Sequence, residues 1–501
     1  MKKFAGLVVI ISLLTFGSYY GMGLITERTL KKDVDLINQS SGLHVKILEY
    51  QRGLYSSTAK FNWHLHLPER VIKGENGNSS IVSAQDYAID MPLTIYHGPI
   101  IFAESRVHFG LGYAFTDLTL PQSYEEQFSA AFTAESTKPQ MNISILVNYL
   151  NKSRLQIHLP TFKLIAKEGS SDFEWLGMTN HLSISSNLKN IKGDLVISGV
   201  NFTKESMKGT LGKISSDYNL HKTKENLYLG SANLSFPSMV VTDKDKVVFN
   251  LEQFDVSTSS KIEKNLFHSE FNTSVQKITA EDKLYGPGAL KMSINNLDSQ
   301  ALAEINAQVT KMQQGSEQDR QQATVDILPL VAKLLNKGPE FKISEIYFSL
   351  PQGKVSGYLT VSIPKGDISN PLELIQKTVG QGKIIIPVPV IKSFLIESVQ
   401  QSLKTELSSN ADANKLADNT EKNDVNSTDN KASQPVAKPE STQVSGNTED
   451  QLKNQADKKL AELVASGLLI QKGNDYEVNL SLENGQIFFN NKPYDSFSGK
   501  F

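Results

Sequence analysis

Residues 49–67 read EYQRGLYSSTAKFNWHLHL and gather Tyr50, Arg52, Tyr55, Ser56, Ser57, Lys60, His64 and His66 in one short run. A hydroxyl beside an imidazole could act as an activated nucleophile, the ring taking its proton. Two histidines at i and i+2 could ligate a metal. In an extended strand His64 and His66 share a face, about 6.5–7 Å apart along the chain. A metal site needs a third and a fourth ligand and groups that orient them. The sequence nominates none, and Lys60 places a cation on the same face. His64 and His66 therefore stand as metal candidates against the plainer reading of a solvated strand face.

His97, in YHGPI (96–100), precedes Gly98-Pro99, a turn dipeptide. It is a candidate base with no nucleophile paired to it by any motif, and a turn histidine is the simpler reading. The other histidines (His44, His108, His158, His181, His221, His268) are scattered without ligand spacing. There is no G-x-S-x-G elbow, H-E-x-x-H or Walker A loop. The glycine runs at 110–112 and 380–383 lack the downstream spacing of phosphate loops. Carboxylates are many and dispersed. A hydrolase assembled from distant residues would need His97 to meet a serine or a carboxylate in a concave pocket.

The elements that must position these groups are mostly strands. From Tyr55 to Leu67, Tyr55, Ser57, Ala59, Phe61, Trp63, Leu65 and Leu67 share one face. Ser56, Thr58, Lys60, Asn62, His64 and His66 share the other, the pattern of a half-buried antiparallel strand. Similar strands recur at 141–150, 154–165, 181–188, 229–236 and 246–257, divided by Asn, Gly, Ser and Lys clusters. From about 298 two helices are expected, the second with Leu328, Val331 and Leu335 on one face and Gly338-Pro339 as its stop. A hairpin turns at Pro351-Gln352-Gly353. A short helix (370–379), the strand GKIIIPVPV and a helix (390–407) follow. Residues 409–448 lack aromatics and are rich in Asn, Asp, Lys, Ser and Thr, the composition of a disordered linker. Thr448 and Gln451 form a capping box for a last helix. Asn484-Gly485 then turns a hairpin in which Tyr476, Val478, Leu480 and Leu482 face one way and Glu477, Asn479, Ser481 and Glu483 the other.

The fold class expected is mainly β with some α: an N-terminal transmembrane helix, then an extended antiparallel sheet or sandwich with packing helices. The expected divisions are 1–42 (anchor and outward helical extension), 43–297 (β-rich), 298–408 (α+β), 409–448 (linker) and 449–501 (helix and hairpin). The anchor is the uncharged run 4–26, FAGLVVIISLLTFGSYYGMGLIT. As a helix it spans about 34 Å, enough for a hydrocarbon core of about 30 Å. A cleaved signal peptide is the rival reading, but no Ala-x-Ala site is present. Leu30, Val34 and Ile37 continue an apolar stripe outward. The three-residue tail stays in the cytoplasm in the simplest topology, with the body exported. A net charge of -2 argues against nucleic acid, which needs a basic face. The absence of cysteine excludes disulfides, thiol nucleophiles and thiolate metal sites. No cofactor is implied.

With these residues placed, the chain resembles the YdgA family of bacterial inner-membrane proteins, whose domain has no assigned function. The resemblance rests on the N-terminal run, on YQRGLYSS with Tyr50, Arg52 and Gly53, and on YHGPI with His97, Gly98 and Pro99. It also rests on residues 328–363, which include Pro329 and Gly353, on KIIIPVPV, and on NGQIFFNNKP (484–493) with Asn484 and Gly485. It implies an inner-membrane protein with its body in the periplasm and supplies no catalytic residues; these motif residues read as structural. The layout also loosely resembles AsmA-like envelope proteins, which are associated with lipid movement. Three readings follow: a non-enzymatic binding, scaffold or assembly factor; a protein that handles lipid in an apolar β groove; and a hydrolase of dispersed residues. The partners expected are the bilayer through residues 4–26, a lipid or envelope protein, and a second copy paired through exposed strand edges. An unbroken apolar face reaching the membrane end would favour lipid handling, and a closed, side-chain-filled sandwich would exclude it.

Overall fold

The uncharged run passes without a break into one long helix, α1 (Lys2–Asn38). In the computed structural model the described residues are 2–38, 43–67, 70–73, 79–83, 85–120, 124–314, 317–366, 371–402 and 447–494. Among them no helix is long and apolar enough to cross a membrane. The most apolar part of the run, residues 4–13, is described as backbone only. The linker expected at 409–448 lies outside the described residues but for its last two. The chain forms two units, residues 1–344 with 362–375, and residues 345–361 with 376–501.

The first unit is built on strands β1 (Leu43–Arg52), β2 (Ser56–Leu67), β3 (Arg70–Lys73), β4 (Ser79–Val82) and β5 (Gln85–His97). The small hairpin β6 (Ile100–Ala103) and β7 (Arg106–Phe109) follows, then β8 (Gly112–Thr119), helix α2 (Glu125–Ala131) and β9 (Gln140–Val147). Next come β10 (Ser153–Leu159), β11 (Phe162–Ile165), β12 (Ser171–Trp175), β13 (Met178–Ile184), β14 (Asn190–Ile197), β15 (Val200–Lys204), β16 (Met207–Leu211) and β17 (Ile214–Lys222). The longest strands close the series: β18 (Tyr228–Asp243), β19 (Lys246–Glu263), β20 (Leu266–Ala280), β21 (Lys283–Tyr285) and β22 (Gly288–Asp298). One antiparallel ladder runs β1–β2–β5–β8–β9–β10–β13–β14–β17–β18–β19–β20–β22.

Five of these strands bend along a common line. β10 and β11 continue one another across Pro160-Thr161, and β12 and β13 across Leu176-Gly177. Ser198-Gly199 breaks β14 from β15, and Gly212-Lys213 breaks β16 from β17. β18 passes through at Pro237 and pairs with β17 before it and β16 after it. The breaks lie opposite one another, bridged by the hydrogen bonds Leu176 N to Gly199 O, Ser198 N to Gly177 O, and Gly212 N to Ser238 O. Proline has no amide to give the ladder, and glycine tolerates the local kink. Gly177 and Gly199 take positive φ of 104° and 136°.

Register sorts the side chains into two faces. One row reads Ser57, Ile95, Ala114, Ile145, Leu155, Leu182, Gly193, Tyr218, Ala232, Thr258, Phe271, Met292. On the opposite face the matching row reads Phe115, Ser144, Gln156, His181, Asp194, Asp217, Asn233, Ser257, Asn272, Lys291. The apolar face is covered at the N-terminal end. There Val34, with Leu30 beside it, packs on Val45, Ala59, Phe61, Met91, Leu93, Ile95 and Ala114. The helical stripe read from Leu30 and Val34 holds, and the side chain of Ile37 lies outside the described residues. Asn38 closes the helix by pairing with Val45 as a strand residue would, its Nδ2 donating to the carbonyl (2.9 Å) and its Oδ1 accepting from the amide (2.7 Å). Farther along the sheet the covering layer stops. Between residues 140 and 222 only glycines are fully buried among the described residues. An extended sheet rather than a closed sandwich is the outcome.

Helices α3 (Ser299–Gln314) and α4 (Glu317–Leu335, with Pro329 inside) follow β22. On the expected face of α4 Leu328 is 64% exposed, and Val325 beside it is 61% exposed. Strands β23 (Glu340–Leu350) and β24 (Gly353–Ser362) match the expected hairpin, with Gly353 at φ 145°. The short helix α5 (Pro371–Lys377) is followed by β25 (Val379–Pro387) and helix α6 (residues 388–402).

In the second unit α6 and α7 (Asn447–Ser466) cover strands β26 (Ile470–Lys472), β27 (Asp475–Glu483), β28 (Gln486–Phe489) and β29 (Lys492–Pro493). Their core joins Ile391, Leu395, Ala456, Leu460, Leu469, Tyr476 and Val478. Asn484 (φ 52°) and Gly485 (φ 76°) form the turn with both central residues at positive φ that their types favour. Glu477, which alternates with Tyr476 and Val478, is buried as they are. Its carboxylate stands 2.7 Å from both Lys383 and Lys472, which hold its pKa below the ordinary carboxylate range.

Candidate functional site

The two N-terminal sequence motifs, forty residues apart, meet in space. β5 pairs with β2 so that Ile95 lies opposite Ser57. His97, two residues on, projects from the same apolar face. Ser57 Oγ and His97 Nε2 are 2.7 Å apart, and both residues are almost completely buried, at 2% and 1% exposure. The sealing element is α1: a methyl group on Gly23 would stand 3.3 Å from His97 Cδ2. Glycine is what lets the helix lie on the ring. Gly98 is similarly constrained, since a Cβ there would fall 1.7 Å from the Gly110 carbonyl oxygen. Gly53 closes the β1–β2 turn, its amide donating to Ser56 O at 2.9 Å.

Around this pair the motif residues grip the helix. Arg52 bonds Glu27 at 3.2 Å and lies over the Tyr20 ring at 5.3 Å. Lys31 bonds the same carboxylate at 2.7 Å and, with Arg52, holds the Glu27 pKa low. The Tyr19 hydroxyl donates to Ile100 O at 2.6 Å, and its ring meets Tyr55 edge-on. Thr26 donates to Leu111 O at 3.3 Å. The outer part of the 4–26 run, from Phe16 onward, is therefore docked on the sheet.

The chemistry open to Ser57 and His97 is narrow. A nucleophile and base at 2.7 Å satisfy the first geometric demand of acyl transfer. The next demands are unmet among the described residues: His97 Nδ1 has no hydrogen-bond partner, so no third group orients the ring from that side, and neither residue lines the trough on the polar face. Burial, and secondarily Arg52, holds the His97 pKa below its ordinary value, so the ring is neutral near pH 7. The Tyr50 hydroxyl is buried, and burial raises its pKa. The geometry is that of a helix clamp.

Of the metal candidates, His64 stands 3.8 Å from Asp86, and the side chain of His66 lies outside the described residues. Among the described residues no group of three His, Asp or Glu could hold a metal ion. Sequence reading missed a grouping on the polar face. Arg106, His108, Arg154, His158, His181 and Lys192 line a trough of about 850 Å³, in which His181 bonds Asp194 at 3.0 Å. Equal parity on paired strands was the available signal. Pro329, Gly353, Asn484 and Gly485 lie away from the clamp along the chain and serve α4 and two turns.

The chain belongs to the family of bacterial proteins of unknown function DUF945, whose model matches residues 1–496. No curated protein and no solved structure matches it.

Proposed function

We propose that this chain is a membrane-anchored protein of the bacterial envelope, non-enzymatic, whose sheet receives the apolar chains of a lipid or other amphiphile. The observation that carries this is the apolar face. It starts under α1 and runs on through Ile145, Leu155 and Leu182, and among the described residues it has no fully buried apolar side chain between residues 140 and 222. So large an apolar surface needs a cover. An acyl chain lying along it would meet Ile145, Leu155 and Leu182 in turn.

The anchor reading rests on the uncharged run and the helix that carries it. Lys3 and Tyr19 are sixteen positions apart, about 24 Å at about 1.5 Å per residue. Lysine stems reaching to one headgroup layer and tyrosines seated in the other bring that close to the hydrocarbon thickness. In this reading the N-terminus is cytoplasmic and the body periplasmic, as the resemblance to YdgA-like and AsmA-like proteins also implies.

The test is lipid carried by the full chain through purification in detergent, identified by native mass spectrometry and by extraction. Leu155→Asp with Leu182→Asp, on the apolar face, should abolish it. Ser183→Asp, on the opposite face, should leave it unchanged. Absence of lipid from the unaltered protein, or equal retention by both variants, overturns the reading. Protease added to spheroplasts should digest the body and spare the first residues.

A further inference from the structure

The hairpin β6–β7 is apolar on the wrong side for a water-facing element. Ile100 pairs with Phe109 and Phe102 with Val107. All four side chains point away from the protein and are exposed, Phe102 at 71% and Phe109 at 61%. The alternate residues Ile101 and Ala103 are buried with Tyr113, against Tyr96, Phe115 and Leu146. The hairpin is thus firmly seated while its outer face is left bare. Its tip is held as well, Glu104 accepting from the Tyr113 hydroxyl.

Its position says what covers it. The root of the hairpin is tied to α1 by the Tyr19 hydroxyl on Ile100 O, and to the neighbouring turn by the Tyr149 hydroxyl on Pro99 O at 2.6 Å. Phe16 and Tyr19 pack on Tyr55 at the same end of the sheet. Leu14, 69% exposed, stands just before the dock, and Phe16 at its edge is half-exposed; both belong to the uncharged run. Leu150, beside Tyr149, is 80% exposed. An apolar hairpin face and a ring of tyrosines at the exit of an uncharged helix have the make-up of a membrane–water interface, where aromatic side chains are enriched.

We propose that the β6–β7 hairpin lies in the interfacial layer of the bilayer, with Ile100, Phe102, Val107 and Phe109 against lipid, as a second contact beside the helix. This rests on the anchor reading above. A second copy is the weaker occupant: four side chains, of which even the largest carries at most about 250 Å² and is only partly exposed, fall short of the roughly 800 Å² per partner that a stable dimer buries.

The chain has no cysteine, so single-cysteine variants of the full protein take one nitroxide label each. Leu14→Cys, Phe102→Cys, Phe109→Cys and Ser183→Cys are reconstituted separately in phosphatidylethanolamine–phosphatidylglycerol vesicles, and collision with oxygen is compared with collision with a water-soluble nickel chelate. Labels at 102 and 109 should favour oxygen, at a depth between that of 14 and the aqueous value of 183. If 102 and 109 match 183 while 14 reports hydrocarbon, the hairpin proposal is overturned and the anchor stands. If 14 also matches 183, both fall. If 102 is closed to both reagents and its spectrum sharpens on dilution with unlabelled protein, a second copy covers the hairpin and the proposal is overturned.

Discussion

Ser57 Oγ and His97 Nε2 lie 2.7 Å apart beneath Gly23 of the N-terminal helix, and neither lines the trough on the polar face. Two residues that would signal an acyl-transfer site on an open surface are here the floor of a helix-docking groove. The distinction is made by cover: the pair is sealed by the same helix that is read as reaching the membrane.

Removing one member should destabilise the first unit. His97→Ala leaves the Ser57 hydroxyl buried and unpaired, a loss of about 1–3 kcal/mol. Ser57→Ala does the same to His97. The double variant should lose less than the sum, because the shared hydrogen bond is counted once. Urea unfolding of the first unit's signal measures all three; strict additivity would contradict the pairing.

The His97 pKa is lowered on folding, so the unfolded chain binds more protons between the depressed value and about 6.5. Stability is full above the unfolded value and falls as pH drops through that window, levelling off below the folded value. Midpoints measured from pH 8 downward should show this slope in the unaltered protein and lack it in His97→Gln. A slope of the opposite sign would mean that the ring is charged in the folded state.

Gly23→Leu should displace the helix from the clamp. A methyl at this position already comes within 3.3 Å of the imidazole, and an isobutyl group has no space. Arg52→Ala removes the Glu27 pair and the cation over Tyr20, which in a partly exposed setting are worth about 1 kcal/mol together. Limited proteolysis near residue 40 should accelerate strongly in the first variant and slightly in the second.

Several hairpins set a lysine or a glutamate at positive φ. Lys244 (47°) and Asp245 (62°) join β18 to β19, and Glu281 (49°) and Asp282 (62°) join β20 to β21. Left-handed conformation costs a non-glycine residue roughly 1–2 kcal/mol. Lys244→Asn with Asp245→Gly should raise stability by about 1 kcal/mol, read as an upward shift of the thermal midpoint, with no change in lipid retention.

These same turns explain what sequence could and could not reveal. Where turn chemistry was conventional, as at Asn484-Gly485, the hairpin was legible. Lys244-Asp245 carries no such signature, and the expected strands 229–236 and 246–257 stop short of the observed ends of β18 at Asp243 and β19 at Glu263. Pro237 also masked the continuation of β18, since proline ordinarily ends a strand. Parity placed Ser57 with Ala59, Phe61 and Trp63 correctly, but it could not bring His97 to Ser57. That meeting depends on the β2–β5 register across an intervening excursion of the chain. Alternation puts Glu477 opposite Tyr476 and Val478 but does not show its burial, which depends on Lys472 across the β26–β27 turn and on Lys383 from the distant β25.

The line of Pro160, Gly177, Gly199, Gly212 and Pro237 has a consequence for how the meander finds its alignment. Each of the five strands carries its own flexible or amide-free residue at the bend. Sliding any one strand past its neighbour by a single step would bring that residue opposite regular ladder and leave the neighbour's kink unmatched, besides turning every side chain to the wrong face. The fold line therefore acts as a vernier: five marks that coincide in only one alignment of the sheet.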